Sequence, residues 1–168
     1  MNDDPAMDVS VIVPFGDDED RVGKLVVRVA EHLRPQVRRF EILAVAEDSG
    51  DNSIAVLSLL RAQVPEIELL CTEKGHGFAT GAKVARGRAL WLLDVARSDA
   101  PLFPFHWASR KIHSDAADLV VLEGRYVLCR RTRTWRALEG IRGRGTTFER
   151  RLVRRAAVRG LRIERLPR

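Results

Sequence analysis

Residues 9–18 read Val-Ser-Val-Ile-Val-Pro-Phe-Gly-Asp-Asp. Val9 to Val13 is a short, mostly β-branched run that Pro14 ends. Such a run predicts a strand buried on both faces, the habit of parallel sheets. Beyond it, Asp17 and Asp18 offer helix caps. Val22, Leu25, Val26, Val29 and Leu33 then recur at helical spacing until Pro35. The same unit returns twice. Phe40 to Ala46 is a second strand, and Asp51 or Asn52 caps a helix with Ile54, Leu57 and Leu60 on its apolar face. Ile67 to Cys71 is a third strand, followed by a loop containing Gly75 and Gly77 and a short helix from about 78 to 86. Ala89 to Leu93 is a fourth strand, ending at Asp94. Strands alternating with helices imply a mainly parallel central sheet in a three-layer α/β sandwich. Ligands of such sheets sit beyond the carboxyl ends of the strands. Attention therefore falls on residues 14–18, 46–51, 72–77 and 94–99.

The remainder is less regular. The pattern predicts a helix over 104–114, strands over 118–122 and 124–129 with a bend near Glu123, and a short helix over 134–139. Residues 140–145, Gly-Ile-Arg-Gly-Arg-Gly, read as a flexible turn. Thr146 or Thr147 should cap a last helix, with Phe148, Leu152, Val153 and Ala156 inward and Gly160 as its stop. A strand over 161–166 closes the chain. The 168 residues suit one domain, with 1–8 as a flexible start, and 45% hydrophobic content is enough for its core. No apolar run reaches about 18 residues, and the start is acidic and polar, so a cytoplasmic protein is expected. Cys71 and Cys129 both lie in apolar runs and read as core thiols, with no disulfide or zinc framework.

The net charge of +6 conceals a division. Residues 1–123 hold 14 Lys/Arg against 20 Asp/Glu, whereas 124–168 hold 15 Arg against 3 Glu. On the last helix, Arg151, Arg155 and Arg159 form one stripe, and Arg150 and Arg154 a neighbouring one. That face is either solvated or a contact for an anionic partner, such as a membrane surface or nucleic acid.

The order of motifs resembles family 2 glycosyltransferases. Residues 9–14 resemble the family's opening strand, and 40–51 its second strand and acidic nucleotide-binding turn. Lys74-Gly-His-Gly77 with Gly81 and residues 85–87 resembles its third loop and helix. Leu92-Leu-Asp94 stands where the Asp-x-Asp motif begins. Residues 118–121 with 124–126 resemble the strand pair beyond it, and Phe148-Glu149, residues 160–163 and Pro167 the closing helix and strand. The resemblance implies the GT-A fold and transfer of a sugar, with inversion, from a nucleotide-diphosphate donor to an acceptor. By position it implicates Pro14, Phe15, Asp17, Glu47, Asp48, Lys74, Gly77 and Asp94 in donor binding. It implicates Asp94 in holding Mg²⁺ or Mn²⁺, and Glu149 as the base.

The departures fall in that same site. Phe15, Gly16 and Asp17 replace the family's aromatic, Asn and Glu. Ala46 and Glu47 replace two Asp. Asp94-Val95-Ala96 lacks the second carboxylate, and Glu149-Arg150 replaces Glu-Asp. No stretch matches the family's C-terminal membrane helices. The chemistry of each residue type agrees with its implied role. Carboxylates such as Glu47 and Asp48 accept from base N–H and ribose hydroxyls. Backbone N–H groups around Gly77 can approach phosphate. A single carboxylate holds Mg²⁺ or Mn²⁺ weakly, with Asp99 as a conceivable helper. A base must take the acceptor's proton. Structural roles stand beside these: Asp51 as a helix cap, Asp94 as a loop cap, and Glu149 as a first-turn glutamate favoured by the helix dipole. Three functions remain open: a transferase with a reduced metal site, a non-catalytic relative, and a basic binding module.

Overall fold

Residues 7–102, 104–122 and 126–166 are described in the computed structural model. The segment 1–6, the bend at Glu123 and Gly124, and Pro167 lie outside the described residues. Residues 7 and 8, expected to be flexible, are bonded into the fold. Asp8 N–H donates to Arg39 O, and Met7 O accepts from Arg88 N–H.

The first half follows the expected alternation. Strand β1 spans Val9–Phe15, helix α1 Glu19–Leu33, β2 Phe40–Glu47, α2 Ser53–Leu60, β3 Ile67–Thr72, α3 Gly77–Val84 and β4 Ala89–Leu93. A 3-10 turn, Val95–Arg97, follows β4. Then come α4 Pro104–His113, β5 Leu119–Leu122, β6 Tyr126–Arg130, α5 Arg131–Leu138, α6 Gly145–Val158 and β7 Ile163–Leu166. Among the described residues seven strands form one sheet, in the order β3-β2-β1-β4-β6-β5-β7. The pairs β1–β2, β1–β4, β2–β3 and β5–β7 are parallel, and β6 is antiparallel to both neighbours.

Strand side chains alternate between two cores, the period-2 consequence of the pleat. Val11, Val13 and Phe15 of β1 point to the layer of α1, α2 and α4, together with Trp91 and Phe105. Ile12 points to the other layer, where Phe78 of α3, Ala137 and Leu138 of α5, and Phe148, Leu152 and Ala156 of α6 pack. The Phe78 and Phe148 rings lie 4.5 Å apart and join α3 to α6. Two covered faces explain why β1, β2 and β4 are apolar at nearly every position.

Three expectations are corrected. Cys71 is exposed, because β3 is an edge strand whose covering is incomplete. Cys129 is buried as expected, and burial pushes its thiol up to about 12. Neither Thr146 nor Thr147 caps α6: the helix starts at Gly145, so both threonines stand inside its first turn. Asp18 occupies the N-cap position of α1 without bonding as a cap. The cap comes from the neighbouring loop, where Asp51 Oδ2 accepts from Glu19 N–H at 2.9 Å.

Candidate functional site

The chain leaves β1 towards β2 on one side, whereas β4 lies on the other side of β1. The carboxyl ends of β1 and β4 therefore flank the topological switch point, where open α/β sheets hold their ligands. Asp17, Glu47 and Asp94 follow or end three adjacent parallel strands and so share this edge.

The loops at this edge are tied to one another by carboxylates. Asp17 Oδ1 accepts from Gly50 N–H at 2.7 Å, and Asp18 N–H donates to Ser53 Oγ at 3.1 Å. Asp51 accepts from Ser53 N–H, Ser49 Oγ and Glu19 N–H. These bonds, those with Ser53 foremost, hold the Asp51 carboxyl below the usual carboxylate range, at about 2. Asp48 has φ +50 and accepts from Lys74 N–H at 3.0 Å, tying the second loop to the third. Asp17, Asp48 and Lys74 are exposed on these loops.

Glu47 is not an open ligand group. It is 4% exposed, and Oε1 accepts from Gly77 N–H at 2.7 Å. That same bond consumes the Gly77 N–H that was expected to face phosphate. A Cβ at Gly77 would lie 2.5 Å from Pro14 Cβ and 2.7 Å from Glu47 Oε1, so only glycine lets α3 start this close to β1. Phe15 is fully buried within the core, so its ring is not at the edge. Pro14 faces the site through its backbone carbonyl.

That carbonyl accepts from Arg144, a residue absent from the expected site. Arg144 Nη1 is 3.3 Å from Pro14 O and 3.6 Å from Asp18 Oδ2, and Nε is 3.4 Å from Glu47 Oε2. The turn 140–145 is thus no free loop but a strap over the carboxyl edge. Gly143 N–H donates to Gly75 O at 2.8 Å, and Arg151 and Arg155 of α6 donate to Arg142 O and Glu139 O. Gly145, with φ +68, carries the chain past Asp94: a Cβ there would stand 3.6 Å from Asp94 Oδ2. The signal in the sequence was an arginine bracketed by two glycines. Gly143 and Gly145 both adopt positive φ, the conformation that glycine reaches at no steric cost.

Asp94 caps the 3-10 turn, with Oδ1 accepting from Ala96 N–H at 3.0 Å. Asp99 lines a groove with Asp20, Arg21, Lys24 and Arg28 against α1. Among the described residues no group of three His, Cys, Asp or Glu side chains is placed to hold a metal ion. The donor set at Asp94 is one carboxylate whose Oδ1 is engaged by backbone, so before a phosphate adds its oxygens it would hold a divalent cation only weakly. Glu149 stands on α6 next to Phe148, one turn beyond the helix start that abuts Asp94.

TarS from S. aureus in complex with UDP-GlcNAc superposes over 95% of this chain and 56% of its own, at 16% identity and a TM-score of 0.74. This is the GT-A fold. The mannosyltransferase PcManGT from Pyrobaculum calidifontis, in complex with GDP-Man and Mn²⁺, matches 95% of this chain and 54% of its own (18% identity, TM-score 0.72). Glucosyl-3-phosphoglycerate synthase from Mycobacterium tuberculosis, in complex with Mn²⁺, UDP and glucosyl-3-phosphoglycerate, matches 95% and 69% (13% identity, TM-score 0.70). The chain spans little more than half the length of the first two. No family model matches the sequence, and no curated protein matches it.

Proposed function

We propose that this GT-A chain binds a nucleotide-diphosphate sugar in the crevice between the carboxyl ends of β1 and β4, and transfers the sugar with inversion to an acceptor, as a compact family 2 glycosyltransferase. The supporting observation is the convergence of the loops after β1, β2, β3 and β4 on one edge of a fold whose solved relatives hold UDP-GlcNAc or GDP-Man. The exposed Asp48 and Lys74 are the groups for base and ribose, and Asp17 and Glu47 hold the loops that carry them. Glu149 is the base for the acceptor proton. Calorimetric titration with UDP and GDP tests the donor site, and absence of binding to either refutes it. Glu149→Gln should lower transfer by about 10²-fold or more while donor affinity holds. Loss of donor affinity together with rate would remove the base assignment.

A second reading keeps donor binding without turnover. It is supported by the missing carboxylate at Ala96 and by the engagement of Glu47 and the Gly77 N–H in internal bonds. Donor binding with no hydrolysis or transfer would favour it.

Placement at the cytoplasmic membrane face is proposed on separate grounds. Among the described residues no helix is long and apolar enough to cross a membrane. Arg150, Arg151, Arg154, Arg155 and Arg159 of α6 and its C-cap are all exposed, opposite buried Phe148, Leu152 and Ala156. Two of the five are also bonded at this end: Arg151 to Arg142 O of the strap and Arg155 to Glu139 O just before it. Co-sedimentation with phosphatidylserine vesicles should be strong at low salt and weak at high salt. Binding to nucleic acid instead of vesicles would reassign the face.

A further inference from the structure

The disagreement between the fold's usual metal and this chain's donor set points to a substitute cation. A diphosphate in the switch-point crevice needs positive charge to bind and to leave. Asp94, with Oδ1 engaged by the Ala96 N–H, offers a metal one carboxylate and so a weak hold. The position across the crevice is instead held by a guanidinium. Arg144 reaches down from the strap to Pro14 O at the end of β1, and its neighbour Gly145 lies against Asp94 at the end of β4. The pair therefore spans the crevice from one strand end to the other.

We propose that Arg144 replaces the metal ion, its outward guanidinium edge binding the diphosphate of a nucleoside-diphosphate donor. This rests on the donor-binding reading above. The atoms divide as the role requires. Nε faces Glu47 and Nη1 faces Pro14 O and Asp18, which together fix the plane of the group. Nη2 has no protein partner among the described residues, and the side chain remains 28% exposed. Gly16 keeps that edge open: a Cβ at Gly16 would lie 3.8 Å from Nη2, so a larger side chain would stand against it. A planar fork can hold a carboxylate along one edge and a phosphate along another, which an ammonium cannot do. The strap's bonds to Gly75 O and from Arg151, with Arg155 holding Glu139 O just before it, limit the entropy lost when the arginine engages its ligand.

The test is calorimetric titration of UDP and GDP in EDTA, then in Mn²⁺. The wild-type chain should bind one of them in EDTA, and Mn²⁺ should leave the affinity unchanged. Arg144→Gln should weaken that binding by about tenfold or more, with its melting transition preserved. If Arg144→Gln does not melt cooperatively, Arg144→Lys is titrated instead. A clear loss there supports the fork, and unchanged affinity overturns it. Wild-type binding that requires Mn²⁺ overturns the substitution while leaving the donor site standing. Equal or tighter binding by Arg144→Gln also overturns it, and tighter binding would make Arg144 a plug. Binding of neither nucleotide under any condition overturns the donor site and this inference together.

Discussion

The two ends of β2 carry the same pair of residue types with different outcomes. At the amino end, Glu41 is 3% exposed and accepts from Ser10 Oγ, Arg86 N–H and, along both edges of one oxygen, Arg86 Nε and Nη2 at 2.8 and 2.6 Å. Ser10 Oγ in turn accepts from Gly87 N–H at 2.7 Å. Every partner is close, and the cluster closes the return from α3 into β4. At the carboxyl end, Glu47 is as buried, yet its arginine is 3.4 Å away and keeps one edge unused among the described residues. A fully satisfied pair is a joint. A pair with spare hydrogen-bonding capacity at a switch point is a place for a ligand.

This contrast breaks most visibly in stability. Glu41→Ala strips acceptors from the buried Ser10 hydroxyl and from the Arg86 and backbone N–H groups. It should cost about 2–3 kcal/mol in chemical denaturation, the usual penalty for buried donors left unmade. Arg144→Gln loses longer contacts, and buried Glu47 keeps the Gly77 N–H, so it should cost less, about 1 kcal/mol. If the two losses are equal, the carboxyl-end pair is a structural joint as well, and the distinction between them falls.

The metal side of the contrast can be sharpened by restoring the missing carboxylate. Mn²⁺ binding by the wild-type chain should be poor, and Ala96→Asp should strengthen it measurably in calorimetry. Tight Mn²⁺ binding by the unmodified chain would show that another residue completes the site.

A smaller effect is expected with pH. The Asp51 carboxyl, which ties the first two loops, sits at about 2 in the fold against about 3.9 in an unfolded chain. A depressed carboxylate stabilises the fold fully above the unfolded value, and that contribution fades as pH falls from about 4 towards 2. Asp51→Asn should therefore flatten the acid limb of the stability profile. Asp115 and Asp118, held below the usual range chiefly by Arg162, titrate in the same limb and keep part of it. An unchanged acid limb would show that the loop carboxylates do not set it.

Much of this molecule was legible before any fold was known. The buried runs of β1, β2 and β4 and the helical spacing of Val22, Leu25, Val26, Val29 and Leu33 state the alternation, because apolar periodicity is local. Alternation in turn dictates a mainly parallel sheet and the edge where ligands collect. Local spacing also located Asp17, Glu47 and Asp94 at strand ends. Tertiary structure alone decided what each group there is free to do. Glu47 is spent on Gly77 N–H and Arg144, and Phe15 on the core, because a side chain's partners come from elements 30 to 130 positions away. Thr146 and Thr147 missed their cap because α6 already starts at Gly145, the positive-φ glycine that carries the chain past Asp94. The one local sign of Arg144, its two flanking glycines, reads by itself as a flexible turn. Its meaning arises only when the strap folds over the sheet and sets one guanidinium among Pro14, Asp18 and Glu47.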